Sequence, residues 1–316
     1  MRVIRSASCQ LAYESREMIL VTGGAGFIGR QVCSLLSAHG KDVVAVDRNF
    51  VPALSCPTVQ GDLSSNDFLA ELFRKYSFDA IIHLASLLNT ASRKQPHEAM
   101  RVNVGSSLSL LKLAVQFNVL KFIYGSSISA YGSKRYSEYG EVSESEPAAP
   151  EDVYGVSKRY VEIVGENYRQ QNNIQFIALR ISTVVGTGAA NTSSEWRSEI
   201  FEKLKVSHQA QISIPYRANE MIPLTHVEDV AEITRRLVEA EQVSHTTYNT
   251  PSENWRCSDL ANYIESLNNN IEFTFGHSDA GGFPQAINGS RFAEEFDFSP
   301  IQLKERLHRV IKDGGS

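Results

Sequence analysis

The stretch Thr22-Gly23-Gly24-Ala25-Gly26-Phe27-Ile28-Gly29 constrains this chain more than any other. It lies between a short apolar run, Met18–Thr22, and a segment of helical periodicity over 27–39 that Gly40 ends. Gly23, Gly26 and Gly29 recur at every third position. Glycine admits the positive φ of a tight turn and lets a backbone approach a ligand closely. A helix N-terminus placed directly after such a turn offers free N–H groups and a favourable dipole to an anion. Strand, glycine turn and helix together predict the first crossover of a nucleotide-binding α/β fold.

The remaining pattern agrees. Apolar runs predict strands at Met18–Thr22, Asp42–Asp47, Thr58–Gln60, 80–84, 121–126 and Gln175–Ile181, alternating with helical stretches such as 108–117. That alternation is the signature of an α/β fold, a Rossmann-type doubly wound parallel sheet, here over residues 18–186. Past Gly186 the pattern loosens. Residues 187–195 read as a loop, followed by a helix over 196–205, a strand over 211–215 and a helix from about Val227. Residues 187–313 are therefore expected to be mainly a smaller C-terminal substrate-binding cap, with segments returning to the core. Residues 1–17 carry Arg2 and Arg5 but lack the apolar stretch of a signal peptide, and are read as a poorly ordered extension. Residues 314–316 are read as a flexible tail.

Composition excludes several function classes. The net charge of −5 provides no basic field for nucleic acid or an anionic membrane, and no apolar run reaches the length of a membrane span. Cys9, Cys33, Cys56 and Cys257 lie far apart in sequence and form no C-x-x-C pair. Neither a metal site nor a disulfide framework is expected, and the thiols are read as those of a reduced, cytoplasmic protein.

Asp47 ends the second strand 18 residues after Gly29, where a ribose-binding acid is expected. A carboxylate there accepts both ribose hydroxyls and repels a 2′-phosphate, so NAD is expected over NADP; Arg48, next to it, is the residue that would hold that phosphate. Gly61-Asp62-Leu63 after the third strand would set a carboxylate near the adenine. Further on, Tyr154 and Lys158 are four residues apart, and on a helix they share one face. Asp152 is a suitable N-cap for that helix. A phenol titrating near 10 is a poor base at neutral pH, but a neighbouring cation stabilises its phenolate. Lys158, together with the positive charge of an oxidised nicotinamide, would supply that field. Ser127, at the end of the fifth strand, is placed to donate a hydrogen bond to a substrate oxygen as charge builds there.

These pieces, with His83-Leu84-Ala85-Ser86, Asn103, Leu179-Arg180 and His226-Val227-Glu228-Asp229-Val230, run in order through most of the chain. In this the sequence resembles the extended short-chain dehydrogenases, the group that contains sugar-nucleotide epimerases and dehydratases. The resemblance implies that Ser127, Tyr154 and Lys158 form a catalytic triad. It also implies that Leu84, Ala85 and Ser86 line the cofactor and that Asn103 supports the Lys158 side through hydrogen bonding. Phe27, Ile28, Leu63, Ser126 and Ile181 fall beside the cofactor on the same basis, whereas His83 and His226 are expected to be packed structural residues. A homodimer formed through a helical face, over 108–117 or 156–168, is implied as well.

The departures bear on substrate. Ile128 and Ser129 stand where the dehydratases carry an Asp-Glu pair, so 4,6-dehydration is not expected. Thr183 replaces an Asn common in sugar-nucleotide enzymes, and Ile222-Pro223-Leu224 replaces a segment that supplies an Arg to the substrate diphosphate. Arg217 or Arg291 would have to substitute. Residues 83–88 and the Ser-Ser-Ile after the fifth strand also resemble the short-chain threonine dehydrogenases, which act on small substrates. The leading expectation is hydride transfer at a secondary alcohol carbon by a sugar-nucleotide epimerase or oxidoreductase. A dehydrogenase of a small polar substrate is the close alternative. A non-catalytic NAD(P)-sensing protein is a third, disfavoured by the intact Ser127, Tyr154 and Lys158.

Overall fold

The structure is a computed structural model that describes residues 17–49, 54–133, 140–189 and 195–312. The expected extension (apart from Glu17), residues 190–194 of the expected loop, and the tail over 314–316 lie outside the described residues.

Six strands follow the chain in order: β1 (Met18–Thr22), β2 (Asp42–Asp47), β3 (Thr58–Gln60), β4 (Ala80–His83), β5 (Lys121–Ser127) and β6 (Gln175–Ile181). The chain then adds β7 (Thr183–Val185), β8 (Ala210–Tyr216) and β9 (Met221–His226) before β10 (Thr247–Asn249) returns to pair in parallel with β6. The resulting seven-stranded sheet has the order β3-β2-β1-β4-β5-β6-β10, and every pairing in it is parallel. Two small sheets complete the fold: β11 (Glu253–Arg256) with β9 and β7, and β12 (Ile271–Ser278) with β8.

The apolar runs are continuous because both faces of the large sheet are covered. In β1, Ile19 and Val21 face the helices Phe27–Ala38 and Val227–Glu239, while Leu20 joins a cluster formed with Leu69, Leu110, Phe122 and Val161 on the other face. Each such fully buried Ile or Leu contributes about 1.5–3 kcal/mol. Lys121 opens β5 as a buried cation, and its ammonium donates to the carbonyls of Leu237 (3.2 Å), Val238 (2.9 Å) and Ala240. These are the orphan acceptors at the end of the helix Val227–Glu239. A separate cluster of Trp196, Ile200, Phe201, Ile212, Ile214 and Leu260 forms the core beneath the small sheets.

Strand order reverses between β1 and β4, and this opens a crevice at the C-terminal ends of the strands. Thr22, His83, Ser127 and Ile181 all end there. The expected boundaries shift modestly. β4 stops at His83, β5 extends to Ser127 in register with Ile181, and β8 covers Ala210–Tyr216. The helix expected over 196–205 is α-helical over Trp196–Glu202 and tightens into a 3₁₀ turn at Lys203–Lys205. The helix expected at 108–117 starts at Ser106, after a π-helical turn over Met100–Gly105. A 3.6-residue period in the sequence carries no sign of that widened turn. Among the described residues no helix is long and apolar enough to cross a membrane, and no three His, Cys, Asp or Glu side chains converge as metal ligands.

Candidate active site

At the end of β1 the chain turns through Gly23, whose φ of +70° favours glycine. A Cβ on Gly29 would lie 2.1 Å from the Gly23 carbonyl oxygen, and one on Gly23 would lie 2.7 Å from the Ala85 nitrogen. Side chains are thus excluded where β1, β4 and the first helix meet. That helix starts at Gly26 without a side-chain cap and with no acid in its first turn. A cradle closed to any Cβ, with an uncapped helix N-terminus at its floor, fits a dinucleotide pyrophosphate. Asp47 sits at its rim, where its carboxylate accepts from the Ala25 nitrogen (3.1 Å) and the Asn49 nitrogen (3.0 Å). Arg48 is exposed beside it, close enough to Asp62 and Glu98 to depress both their pKa values after nearer partners have acted. Asp62 accepts from the Ser64 nitrogen (2.9 Å) and hydroxyl (2.6 Å), which hold its carboxyl below the usual range, while Leu63 is buried. Phe27 and Ile28 pack against the core, Ile181 is buried within it, and the Ser86 hydroxyl bonds to the Leu87 carbonyl.

The reactive corner lies across the crevice. Asp152 caps the helix Val153–Gln171 by accepting from the Gly155 nitrogen (2.8 Å), as expected, and its other oxygen accepts from Asn89 Nδ2 (2.6 Å). A Cβ on Gly155 would stand 2.3 Å from the Ser129 carbonyl oxygen, so glycine lets the first helical turn press against the end of β5. This contact brings the Tyr154 phenol beside Ser127, whose Oγ accepts from the Ser129 nitrogen (3.1 Å). One turn on, the buried Lys158 donates to the Gly125 carbonyl (2.7 Å), with its ammonium 5.6 Å from the Tyr154 ring centre and 4.9 Å from that of Tyr124.

Burial sets the protonation of this pair. It pushes the Tyr154 phenol up to about 12, opposed by the adjacent Ser127 hydroxyl and by the charge of Arg197, while Asp152 adds to the rise. Burial also drives the Lys158 ammonium down to about 7, against the attraction of Glu162. The sequence reading had Lys158 and an oxidised nicotinamide stabilise the phenolate jointly. The groups of the chain alone leave the phenol above its usual range.

The sequence reading missed what lies behind Lys158. Glu162 is buried one further turn along and receives Arg180 through two bonds (2.9 and 2.7 Å), Ser126 Oγ (2.6 Å) and Arg159 (3.0 Å). Burial disfavours its charge, but these donors outweigh it and hold the carboxyl below the usual range. The spacing 154, 158, 162 was a visible signal, since all three fall on one helical stripe. Ser126 is thereby corrected: its hydroxyl is committed to Glu162, on the side of the strand away from Ser127. Asn103 sits in the π-helical turn, accepts from the Leu87 nitrogen (2.7 Å), and donates to the Leu87 carbonyl (3.0 Å) and Ser157 Oγ (3.3 Å). It braces the neighbour of Lys158 and not Lys158 itself.

His83 is a packed residue, as expected. Its Nδ1 lies 2.6 Å from Thr22 Oγ1 and its Nε2 lies 2.8 Å from Ser107 Oγ. Since Ser107 donates its proton to the Asn103 carbonyl (2.6 Å), Nε2 carries the imidazole proton; burial holds the ring neutral, with a pKa of about 3. His226 caps the helix that follows it through Nδ1, which accepts from the Glu228 nitrogen at 3.3 Å. Of the two arginines named as possible substitutes, Arg217 pairs with Asp279, and Arg291 lies 3.6 Å from Glu144. Two cysteines read as distant, Cys33 and Cys56, pack in one apolar cluster, and both are free.

With this geometry in view, comparison with known proteins is direct. Residues 19–250 match the NAD dependent epimerase/dehydratase family. The chain belongs to that family. The expected family membership is met. Among curated relatives the chain is similar to UDP-glucose 4-epimerase of Azospirillum brasilense, with 30% identity over 199 residues, 61% of this chain and 56% of that protein. It is similar also to the Erwinia amylovora enzyme of the same name, with 32% identity over 210 residues, 62% and 61% of the two chains. The chain thus spans little more than half the length of the curated relatives it matches. Among solved structures, an L-threonine dehydrogenase from Cupriavidus necator superposes with a TM-score of 0.83 at 21% identity, covering 93% of this chain and 99% of that one. UDP-glucose 4-epimerase from Thermus thermophilus, in complex with NAD, gives 0.79 at 20%, covering 94% and 98%. At such identities the likeness establishes the fold, a Rossmann-like α/β architecture.

Proposed function

We propose that this family member transfers a hydride at a secondary alcohol carbon, with residues 18–186 holding NAD and residues 187–313 forming most of the substrate-binding cap. The observation that carries this reading is the juxtaposition of Tyr154, Ser127 and Lys158 at the strand ends, across the crevice from the glycine cradle. A nicotinamide, when bound, supplies the hydride acceptor. Tyr154 takes the hydroxyl proton of the substrate, Ser127 donates to the same oxygen, and Lys158 holds positive charge beside the phenol. Gly23, Gly26, Phe27, Ile28 and Gly29 surround the pyrophosphate, and Leu84, Ala85 and Ser86 line the nicotinamide side. Asp47 takes the ribose hydroxyls. Arg48 faces Asp62 and Glu98, an acidic setting that favours NAD over NADP.

Two substrate readings have separate support. The curated relatives favour a nucleotide sugar and an epimerase or oxidoreductase; with Ile128 and Ser129 after Ser127, no acid stands there for 4,6-dehydration. Ile222-Pro223-Leu224, with no arginine for a diphosphate, favours a small polar substrate. Isothermal titration of the stripped protein with NAD and NADP, then with UDP-, GDP- and dTDP-sugars, tests both. NAD is expected to bind more tightly than NADP, and absence of binding by either dinucleotide sinks the reading. A nucleotide-sugar response selects the first substrate class, and its absence beside clear NAD binding selects the second.

We also propose a homodimer through the helix Val153–Gln171, whose Val156, Tyr160 and Ile163 are each 46–47% exposed. Sedimentation is expected to show a dimer that Ile163→Glu converts to monomer, and a wild-type monomer would refute the assignment.

A further inference from the structure

Among the described residues two arginines, Arg180 and Arg306, are buried, and they are a useful contrast to the partly buried Arg197. Arg180 is met by Glu162 through two bonds, and Arg306 by Glu228 and Asp229, each at 2.6 Å. Arg197 has no carboxylate within ion-pair distance among the described residues, and this is the difference, since Arg180 Nη1 and Arg306 Nε, like Arg197 Nε, are buried without an acceptor there. Taking a guanidinium out of water without a counter-charge is costly. The fold nonetheless fixes it in place. The Arg197 carbonyl accepts from the Gly186 nitrogen (3.0 Å), and Ser198 Oγ donates to the Gly186 carbonyl (2.7 Å) and accepts from the Ala189 nitrogen (2.6 Å).

The direction of the side chain is equally defined. Its guanidinium lies 5.9 Å from the Trp196 ring centre, and is close enough to Tyr216 and Tyr154 to interact electrostatically with both phenols. It therefore faces the reactive corner from the side of the chain that follows β7. We propose that Arg197 is the receptor for an anionic group of the substrate, a carboxylate or a phosphate, set beside the alcohol carbon that faces Tyr154. Such an anion supplies the missing counter-charge, and a planar guanidinium binds either group through paired N–H donors. The proposal deepens the hydride-transfer reading and rests on Tyr154 facing the reacting alcohol. It also accounts for the loss of the arginine expected near Ile222-Pro223-Leu224, whereas Arg217 and Arg291 each already face a carboxylate.

The test uses the full chain, with and without NADH, titrated with 3-hydroxybutyrate as the carboxylate probe and UDP as the phosphate probe. Wild type is expected to bind at least one probe. Arg197→Met and Arg197→Gln are expected to weaken that binding by at least about tenfold while NAD affinity is unchanged. The probe that responds identifies the anion. Since this partly buried cation has no carboxylate partner among the described residues, Arg197→Met without ligand is expected to unfold at the same temperature as wild type or higher. Wild type binding neither probe, or either folded variant binding the responding probe as wild type does, overturns the proposal. A lower unfolding temperature with unchanged probe binding marks a structural role and overturns it too. Failure of NAD to bind instead overturns the hydride-transfer reading, which the anion titrations without NADH leave distinguishable.

Discussion

In the glycine cradle backbone meets backbone, and a Cβ on Gly29 would come within 2.1 Å of a carbonyl oxygen. Around Tyr154 the construction is the reverse: Lys158, Glu162, Arg180 and Arg197 bring charged side chains into a mostly buried corner. The first region has nothing to titrate and works by excluding side chains. The second holds its geometry through charges whose protonation burial has already displaced. The difference teaches where each region is vulnerable. The cradle should fail sterically, and the reactive corner should fail chemically while the fold survives.

The largest effect that sharpens this contrast is expected from Tyr154→Phe. Removing one hydroxyl should lower turnover by about 10³-fold or more, in the range of lost general acid–base catalysis, and leave NAD affinity nearly unchanged. Stopped-flow hydride transfer and NAD titration on one preparation check both halves. Turnover equal to wild type would remove Tyr154 from the chemistry.

Gly29→Ala should do the opposite. A Cβ there must push the Gly23 carbonyl aside, and the displaced cradle should bind NAD about tenfold more weakly or worse. The pH response of the reactive corner, read by NMR of the Tyr154 and Lys158 side chains, should stay as in wild type. Unchanged NAD affinity in this variant would break the comparison.

The smallest effect is the pH dependence of stability. The Lys158 pKa falls on folding to about 7, so above that pH the unfolded state holds a proton that the folded state has released. Stability should therefore rise with pH from about 7 toward the ordinary lysine range, by at most about 1.4 kcal/mol per unit. Urea unfolding of wild type and Lys158→Met between pH 6 and 9 isolates this slope, which only wild type should show. Glu162→Gln should move the Lys158 midpoint lower still, because the attraction of Glu162 is what holds it up. A midpoint near the usual lysine value would show that the corner is wetter than its packing implies.

What the sequence made legible follows the same division. The cradle, Asp47 and the order of β1 to β6 were readable because period, glycine spacing and strand ends are local properties. Tyr154 and Lys158 were readable because four residues on a helix share a face, and Asp152 because an N-cap has a fixed offset. Glu162 lay on that same stripe, but its partner Arg180 is on a strand 18 residues further on, and no local rule links them. Arg197 was hidden for the same reason, since Tyr216 and Tyr154 reach it from opposite sides in sequence. The π-helical turn around Asn103 breaks the very period that sequence reading relies on. Cys33 and Cys56 meet only because a helix and the approach to β3 pack side by side, and their 23-residue separation conceals this.

β10 carries a consequence for how the molecule is made. It closes the edge of the large sheet at β6, yet it comes from residues 247–249, more than sixty positions later in the chain. During synthesis β6 must therefore leave the ribosome well before its neighbour exists, with a row of unpaired backbone groups along one side. Until the polypeptide passes Asn249, the nascent chain exposes a template for foreign strands. A ribosome stalled in that interval would release an aggregation-prone fragment even though every residue that holds the reactive corner up to Arg197 had already been translated.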